Sequence, residues 1–207
     1  MNSSPIICLF VKPPVPGQVK TRLARELGME KACQVYCRLV EPIVASVHAA
    51  ELPLALFFDG ETPEQVPESW RCHAAICCRQ EGAGLGERMT YAFQRLFAEG
   101  CRSVVLCGSD IVGLDQRYLE NAVAALERSG MVIAPAHDGG YCLIGFTAEF
   151  FSPVVFEQIS WSTDKVLAQT LERCGMVGME PIVLGALRDI DTLTDLKEAA
   201  PALLTMQ

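Results

Sequence analysis

A basic segment near the N-terminus is the first place where residue types and spacing could do chemistry. The stretch "VKPPVPGQVKTRL" follows the apolar run "IICLF" and carries three cations, Lys12, Lys20 and Arg22. Such side chains can neutralise a di- or triphosphate, and a guanidinium can bind it with two parallel hydrogen bonds. Gly17 permits an unusual turn, and Thr21 is placed to cap a following helix, whose N-terminus also favours anions. Alternatively, the segment is a solvated basic connection, and its residues alone favour neither interpretation.

This segment is not a P-loop, although it ends in Lys-Thr between a strand-like and a helix-like run. The P-loop pattern G-x-x-x-x-G-K-[ST] uses its glycines to wrap backbone N–H groups around phosphates. Here Pro14 and Val19 occupy the two glycine positions before Lys20. Pro13, Pro14 and Pro16 also remove backbone donors. The sequence therefore predicts that any anion is bound by charged side chains.

Two carboxylates stand where a divalent cation could be held. Asp110 follows the apolar run "VVLCG", and Asp191 lies in the acidic stretch "RDIDTLTDL". Carboxylate oxygens are the ligands that Mg²⁺ and Mn²⁺ prefer, and such ions bridge the phosphates of nucleotides. Alternatively, Asp110 caps a turn, and the acidic stretch complements a helix dipole, with Thr192 or Thr194 as its N-cap.

Two glycine-containing stretches could approach a ligand closely. In "HDGGYCLIGF", Asp138 could orient a hydroxyl group, and Gly139 and Gly140 permit close backbone approach, although a plain hairpin turn explains the same residues. In "QEGAGLGERM", Gly84 and Gly86 could lie over a nucleotide base or ribose, or belong to an ordinary loop before a helix.

Strand-like and helix-like segments alternate along the chain, which indicates a mostly parallel sheet with helices on both faces. The apolar runs at 6–11, 52–58, 103–108 and 131–136 predict strands, and apolar residues at helical spacing predict helices over 32–47, 85–97 and 119–126. Pro42 predicts a kink or break in the first of these helices. The run "YCLIGF" predicts a further, antiparallel strand after the Gly-Gly turn. "STDKVLAQTLERCG" predicts a helix with a Ser/Thr cap, and "DTLTDLKEAA" predicts the last helix.

In such sheets ligands bind beyond the carboxyl ends of the strands. The informative positions are therefore the basic segment, Asp59, Ser109 with Asp110, and the turn at 138–140.

Bulk composition limits the possible functions. The 207 residues are 50% hydrophobic and 20% charged, enough for one α/β domain over residues 1–207. A net charge of −8 argues against a nucleic-acid partner. The chain shows no signal peptide and no stretch long enough for a membrane span, so we expect a cytoplasmic protein. The ten cysteines contain no C-x-x-C pair and are interpreted mostly as small buried apolar residues.

Taken in order, these motifs resemble bacterial nucleotide-diphospho-sugar transferase-like proteins, a group that includes radical-SAM/selenodomain-associated transferases. The resemblance rests on "LFVKPPVPGQVKTRLA", "QEGAGLGERM", "GSDIVGL", "DGGYCLIG", "ISWST" and "DIDTLTDL", and extends from about Ile6 to Leu196. It implies a single three-layer α/β/α domain of the glycosyltransferase-A type, with a mostly parallel sheet.

The resemblance also implies roles for individual residues. Asp110 and Asp191 match metal carboxylates for Mg²⁺ or Mn²⁺, and Asp138 with Asp110 would be catalytic. Val112 stands where the family usually has proline, which affects the expected turn geometry. The implied substrate-binding residues are Lys12, Gly17, Lys20, Thr21, Arg22, Gly84, Gly86, Arg88, Gly139, Gly140, Tyr141, Trp161, Ser162 and Thr163.

The resulting hypothesis is a metal-dependent glycosyltransferase that binds a nucleotide-diphospho-sugar and a small-molecule acceptor. Two alternatives stay open. One is a nucleotidyltransferase that joins an NTP to a phosphorylated acceptor and releases pyrophosphate. The other is a non-catalytic nucleotide-binding domain. Fold and motif likeness do not separate them, because this fold serves several reactions.

Overall fold

The computed structural model describes residues 5–205. The strands are β1 (Ile6–Val11), β2 (Leu54–Phe58), β3 (Ala74–Arg79), β4 (Ser103–Cys107), β5 (Ile111–Val112), β6 (Met131–Pro135), β7 (Tyr141–Thr147), β8 (Ile182–Val183) and β9 (Arg188–Asp189). Seven of them form one sheet in the order β3-β2-β1-β4-β7-β6-β8, and β5 pairs with β9 in a small antiparallel sheet. In the large sheet only β7 runs antiparallel to its neighbours, as its place after a Gly-Gly turn predicted.

Helices cover this sheet. They are α1 (Thr21–Leu27), α2 (Met29–Ala49), α3 (Glu68–Arg71), α4 (Leu85–Ala98), α5 (Gln116–Ser129), α6 (Val166–Met176), α7 (Leu193–Ala199) and α8 (Ala202–Thr205), with 3-10 helices at Pro63–Gln65 and Pro153–Phe156.

The core against the sheet lies in two layers, one on each face, and a third cluster joins α1, α2 and α7. Side chains alternate along β1, so Leu9 packs into a cluster with Val40 of α2 and Leu126 of α5. Its neighbour Cys8 packs into a second cluster with Phe93 of α4. Because both faces are covered, the strands read as continuous apolar runs. The predicted three-layer α/β/α architecture is confirmed.

The structure corrects four details of the predicted elements. Helix α2 continues through Pro42 without a break. Helix α6 begins at Val166, after Lys165, and its N-cap makes no side-chain hydrogen bond, so the predicted Ser/Thr cap is wrong. Strand β3 was not predicted because it lies at the sheet edge, and its half-buried residues lack a clear alternation. Helix α8 follows the helix that was expected to be last. The predicted cap at Thr192 is confirmed, since its side chain accepts a hydrogen bond from the backbone N–H of Asp195.

The strand order reverses between β1 and β4, and this reversal brings the functional candidates together. Val11 at the end of β1 pairs with Phe58, so the residues that follow, Lys12 and Asp59, leave the sheet at the same edge. Strand β4 also pairs parallel to β1, which places Asp110 at that edge. Ligands bind at such switch points because the loops diverge there and leave a crevice.

No helix among residues 5–205 is long and apolar enough to cross a membrane. All ten cysteines are free thiols, five of them buried.

Candidate functional site

A cavity of about 670 Å³ opens at the carboxyl edge of the sheet. It brings together most of the residues that the sequence singled out. Those that line it are Lys12, Lys20, Thr21, Arg22, Arg88, Asp110, Asp138, Gly140, Tyr141, Trp161, Ser162, Thr163 and Asp191. Four predicted glycines do not line it: Gly17, Gly84, Gly86 and Gly139. The volume lies within the roughly 300–1,000 Å³ of small-molecule sites.

Lys20 is the centre of the charged part of this cavity. Its Nζ lies 2.9 Å from Oδ2 of Asp110 and 3.3 Å from Oδ1 of Asp191. The lysine side chain is only 2% exposed, whereas the two carboxylates are 41% and 44% exposed. Arg22 adds a second cation, 3.5 Å from the other oxygen of Asp191. Two cations from the basic segment and two carboxylates from distant loops therefore meet at one point.

The backbone of Lys20 has an uncommon conformation. Lys20 is the N-cap of α1 and has a φ of 48° and a ψ of 46°, in the left-handed region. This region is unfavourable for residues other than glycine, and such strain concentrates at functional sites. Thr21 is the first residue of the helix, not its cap, and no side chain caps α1. The left-handed turn directs the Lys20 side chain at the carboxylates.

The small sheet places Asp191 beside Asp110. Strands β5 and β9 pair Ile111 with Asp189, and the backbone N–H of Ile190 donates to the carbonyl of Asp110 at 2.9 Å. Two segments 80 residues apart in sequence are therefore held in fixed register. Asp189 joins the acidic group: burial raises its pKa, and the charges of Asp138 and Asp191 raise it further.

The carboxylates fit the metal that the resemblance implies. Oδ1 of Asp110 is buried and has no hydrogen-bond partner, so it has a free lone pair. Mg²⁺ is commonly bound by one or two carboxylates, with substrate phosphates and water completing its shell. Asp110 and Asp191 are a donor set of this kind. Among residues 5–205 no cluster of three or more His, Cys, Asp or Glu side chains could form a metal site without substrate.

Tyr36 ties the basic segment to the loop of Asp110, and the sequence did not reveal this role. Its hydroxyl accepts a hydrogen bond from the backbone N–H of Lys12 at 2.8 Å and lies 3.2 Å from both the Lys12 carbonyl and the Ser109 hydroxyl. Burial raises its pKa, so the hydroxyl keeps its proton. In the sequence, Tyr36 is one of many apolar-face residues of a long helix, and nothing there distinguishes it from a core aromatic residue.

A second ion pair lies on the β2 side of the cavity. The Arg88 guanidinium lies 3.0 Å from Oδ2 of Asp59, and the two side chains are 30% and 39% exposed. Beside them, the Gln80 side chain donates to the Phe57 carbonyl at 2.9 Å. Gln80 was missed because it follows β3, the strand that the sequence pattern did not reveal.

The Asp138 turn faces the same cavity. Oδ1 of Asp138 accepts a hydrogen bond from the N–H of Gly140 at 2.9 Å, and the other carboxylate oxygen has no partner in the turn. Gly139 has a φ of 89°, and a side-chain carbon there would lie 2.4 Å from the Asp164 carbonyl oxygen. Gly139 therefore lies against the backbone of Asp164, and the close approach of this turn to a ligand stays a prediction.

Comparison with known proteins identifies the family of this chain. Residues 43–163 match the family described as uncharacterized protein conserved in bacteria (DUF2064), and this match covers more than half of the chain. No protein among those with curated functions is similar enough in sequence to count as a match.

Several solved structures share the fold. A protein from Desulfovibrio desulfuricans G20, provisionally named a nucleotide-diphospho-sugar transferase, is 32% identical with a TM-score of 0.86, over 98% of this chain and 94% of that one. The inositol-1-phosphate CTP transferase of T. maritima is 13% identical with a TM-score of 0.65, over 99% and 96%. The 4-diphosphocytidyl-2C-methyl-D-erythritol synthase of Anaerococcus prevotii DSM 20548 is 10% identical with a TM-score of 0.62, over 98% and 100%. The last two likenesses concern the fold alone. The chain thus has the nucleotide-diphospho-sugar transferase-like fold and belongs to the DUF2064 family of proteins conserved in bacteria.

Proposed function

We propose that this protein is a metal-dependent glycosyltransferase that uses a nucleotide-diphospho-sugar donor. The observation that carries the proposal is the contact of the buried Lys20 with both Asp110 and Asp191 inside the cavity at the switch point of the sheet. A diphosphate needs cations from the protein and a divalent ion at one place, and this cluster offers both kinds of group.

The charged cluster accounts for binding of the diphosphate. Lys20 and Arg22 would neutralise its oxygens, and Asp110 and Asp191 would hold Mg²⁺ or Mn²⁺. When bound, the metal ion supplies Lewis-acid stabilisation of the leaving nucleoside diphosphate. The remaining contribution of the chain is to fix these charges in advance, which is a large part of catalysis in water-poor sites.

The other walls of the cavity suit the other parts of the substrates. Arg88 and Asp59 would contact the nucleoside, since they lie on the β2 side, away from Asp191. Asp138 would orient an acceptor hydroxyl and accept its proton, because one of its oxygens has no partner in the turn. The 32% identical protein from Desulfovibrio desulfuricans G20, provisionally named a nucleotide-diphospho-sugar transferase, supports this choice of substrate.

A nucleotidyltransferase is the second candidate. Its specific support is the placement of a buried lysine against two carboxylates, which suits a reaction at phosphorus, and the fold shared with the inositol-1-phosphate CTP transferase of T. maritima. The third possibility, a non-catalytic nucleotide-binding domain, has less support because the cations and carboxylates meet in one cavity. Val112, at the family's usual proline position, pairs with Arg188 in the small sheet.

Calorimetry with a panel of nucleotides and nucleotide-sugars, with and without Mg²⁺ or Mn²⁺, tests the proposal. We expect metal-dependent binding of at least one of them, and its loss in Asp110→Ala. The matched control is Asp115→Ala, a nearby carboxylate that caps α5 by accepting from the Tyr118 N–H at 2.8 Å. That variant should cost about 1 kcal/mol of stability and leave binding intact.

Product analysis then separates the two reactions. Release of a nucleoside diphosphate indicates sugar transfer, and release of pyrophosphate indicates nucleotidyl transfer. Absence of binding to every nucleotide, or equal binding by the wild type and Asp110→Ala, would refute the proposal.

A further inference from the structure

A second cavity, of about 690 Å³, adjoins the first. It lies between α4 and the segment from the 3-10 helix Pro153–Phe156 to Trp161. Trp161 lines both cavities, so the two meet at this residue.

Trp161 is held in a defined position. Gly86 has no side chain, and a carbon there would lie 2.8 Å from the Phe156 carbonyl and 3.1 Å from two atoms of the indole. Gln158 and Ser162, on either side of the tryptophan, have φ values of 56° and 63°. Two non-glycine residues in the left-handed region within five positions are uncommon and indicate that the surrounding structure enforces this geometry.

The charge of the second cavity limits what it can bind. Its described lining contains Glu87 and Glu157 and no lysine or arginine. Tyr91, another lining residue, donates to the Glu81 carboxylate at 3.1 Å, which adds negative charge nearby. Arg173 is not among the lining residues, and it donates a hydrogen bond to the side-chain oxygen of Gln158. Phosphate- and carboxylate-bearing ligands require cations, so this lining disfavours them.

We propose that the second cavity is the outer part of the acceptor site: it binds the body of a hydroxyl-rich acceptor without phosphate or carboxylate groups, whose reacting hydroxyl group extends past Trp161 to Asp138 in the first cavity. The Glu157 carboxylate, the amide of Gln94 and the Glu87 oxygen that does not accept from the Ala83 N–H are acceptors for hydroxyl groups, and the indole of Trp161 covers an apolar ring face. The assignment of an acceptor rests on the proposed transferase function. It deepens that function, because a neutral acceptor agrees with sugar transfer and disagrees with nucleotidyl transfer to a phosphorylated acceptor.

Tryptophan fluorescence and calorimetry test the proposal without any nucleotide. The chain has two tryptophans, and Trp70 is only 1% exposed, so Trp161 is the responsive one. The probes are a panel of neutral monosaccharides and polyols, the matching amino sugars, and the matching sugar phosphates. We expect a saturable fluorescence change with a neutral or amino sugar and no change with the phosphates. Because replacing Trp161 removes the fluorophore, Trp161→Ala is measured by calorimetry, where we expect weaker binding of the same sugar.

Charge reversal at the cavity edge sharpens the test. Glu157 is exposed, so Glu157→Lys should fold normally. It should weaken binding of the amino sugar and improve binding of the sugar phosphate, each by roughly two- to fivefold, as expected for one exposed charge. Glu127→Lys, at an exposed position of α5 on the opposite face of the sheet, should change neither.

Tighter binding of phosphates by the wild type, or no saturable binding of any neutral or amino sugar, would overturn the proposal. Either outcome leaves the transferase hypothesis open, because metal-dependent nucleotide binding is measured separately. Conversely, sugar binding without any nucleotide binding would retain the site and refute the transferase function.

Discussion

Two ion-pair groups flank the carboxyl end of β1, and they differ mainly in burial. On the β4 side, Lys20 contacts Asp110 and Asp191 and is 2% exposed. On the β2 side, Arg88 contacts one carboxylate, Asp59, also donates to the Gly82 carbonyl at 3.3 Å, and is 30% exposed. Each group joins a cation near a helix N-terminus to a carboxylate beyond the end of a strand. The buried lysine cannot be solvated in place, so its two carboxylates are needed for the fold as well as for any ligand. The exposed arginine can leave its partner for a ligand at little cost.

Lys20→Met should have the largest effect. It removes the cation between two carboxylates, and charge-assisted hydrogen bonds contribute about 1.5–3 kcal/mol each, so we expect nucleotide affinity to fall at least about tenfold. The free energy of unfolding should fall by less than the ~3–5 kcal/mol typical of a broken buried pair, because both carboxylates are over 40% exposed. Calorimetry and denaturant unfolding measure the two effects.

The control is Lys12→Met, at an exposed cation of the same segment, which should leave stability unchanged. Unchanged nucleotide binding in Lys20→Met would contradict the assigned role.

Tyr36→Phe should have the second largest effect on stability and nucleotide binding. It leaves the Lys12 N–H without its acceptor, which costs about 1–3 kcal/mol when the group is buried. Nucleotide affinity should also fall, because the Tyr36 hydroxyl fixes the basic segment relative to Ser109. Tyr118→Phe is the control: its hydroxyl donates to the Gly185 carbonyl, and we expect a loss of stability with unchanged nucleotide binding. Equal nucleotide binding by Tyr36→Phe and the wild type would limit Tyr36 to a structural role.

Arg88→Ala should separate binding from stability. An exposed ion pair contributes about 0.2–1 kcal/mol, so the free energy of unfolding should change little. Nucleotide affinity should fall if Arg88 contacts the ligand. The control is Arg95→Ala on the same helix, which removes a similarly exposed pair with Glu99 (2.8 Å) outside the cavity. If both variants bind nucleotide like the wild type, the β2 side of the cavity is not part of the site.

The smallest expected effect concerns Asp189 and depends on pH. Burial raises the pKa of Asp189 in the folded state. The folded protein therefore holds this proton more tightly than the unfolded chain, and stability falls as pH rises from about 4 through the folded pKa. Asp189→Asn abolishes this loss, so it should stabilise the protein at neutral pH by less than about 1 kcal/mol and have no effect in acid.

Asp195→Asn should show the opposite sign and serves as the control. Burial acts to raise the pKa of Asp195, but hydrogen bonds from the Thr192 side chain and backbone outweigh it, and the net pKa is lowered. Its carboxylate therefore stabilises the fold above its unfolded pKa, and this stability is lost as pH falls through the folded pKa. Unfolding curves at several pH values measure both variants. The same pH dependence in both variants would contradict the opposite pKa shifts assigned to Asp189 and Asp195.

Local pattern predicted much of the fold because the buried strands have a simple signature. Runs such as β1 and β4 are apolar on both faces, and α2, α4 and α5 show helical spacing of apolar residues. Edge strand β3 was not predicted because only part of its surface is buried, so its sequence lacks this signature. The start of α6 was predicted wrongly because Ser162 and Thr163 belong to a strained turn before the helix.

The sequence predicted the residue types of the candidate site but not the contacts between them. The residue types and their places after strands indicated cations, carboxylates and a close-approach turn at one edge of the sheet. Tyr36 and Gln80 were not predicted because their roles depend on hydrogen bonds between distant segments. The sequence shows that a hydroxyl or amide group is present but not which group it contacts. The glycines at 84 and 86 line the second cavity, which the sequence did not suggest.

The sequence by itself determined the fold class, the buried strands and long helices, and the candidate residues for binding a phosphate and a metal, because periodicity and side-chain chemistry are local properties. Only the tertiary structure decided that Lys20 contacts both Asp110 and Asp191 and that Trp161 lines two cavities. Those relations depend on strand order and on pairing between segments far apart in the chain, which no local pattern encodes.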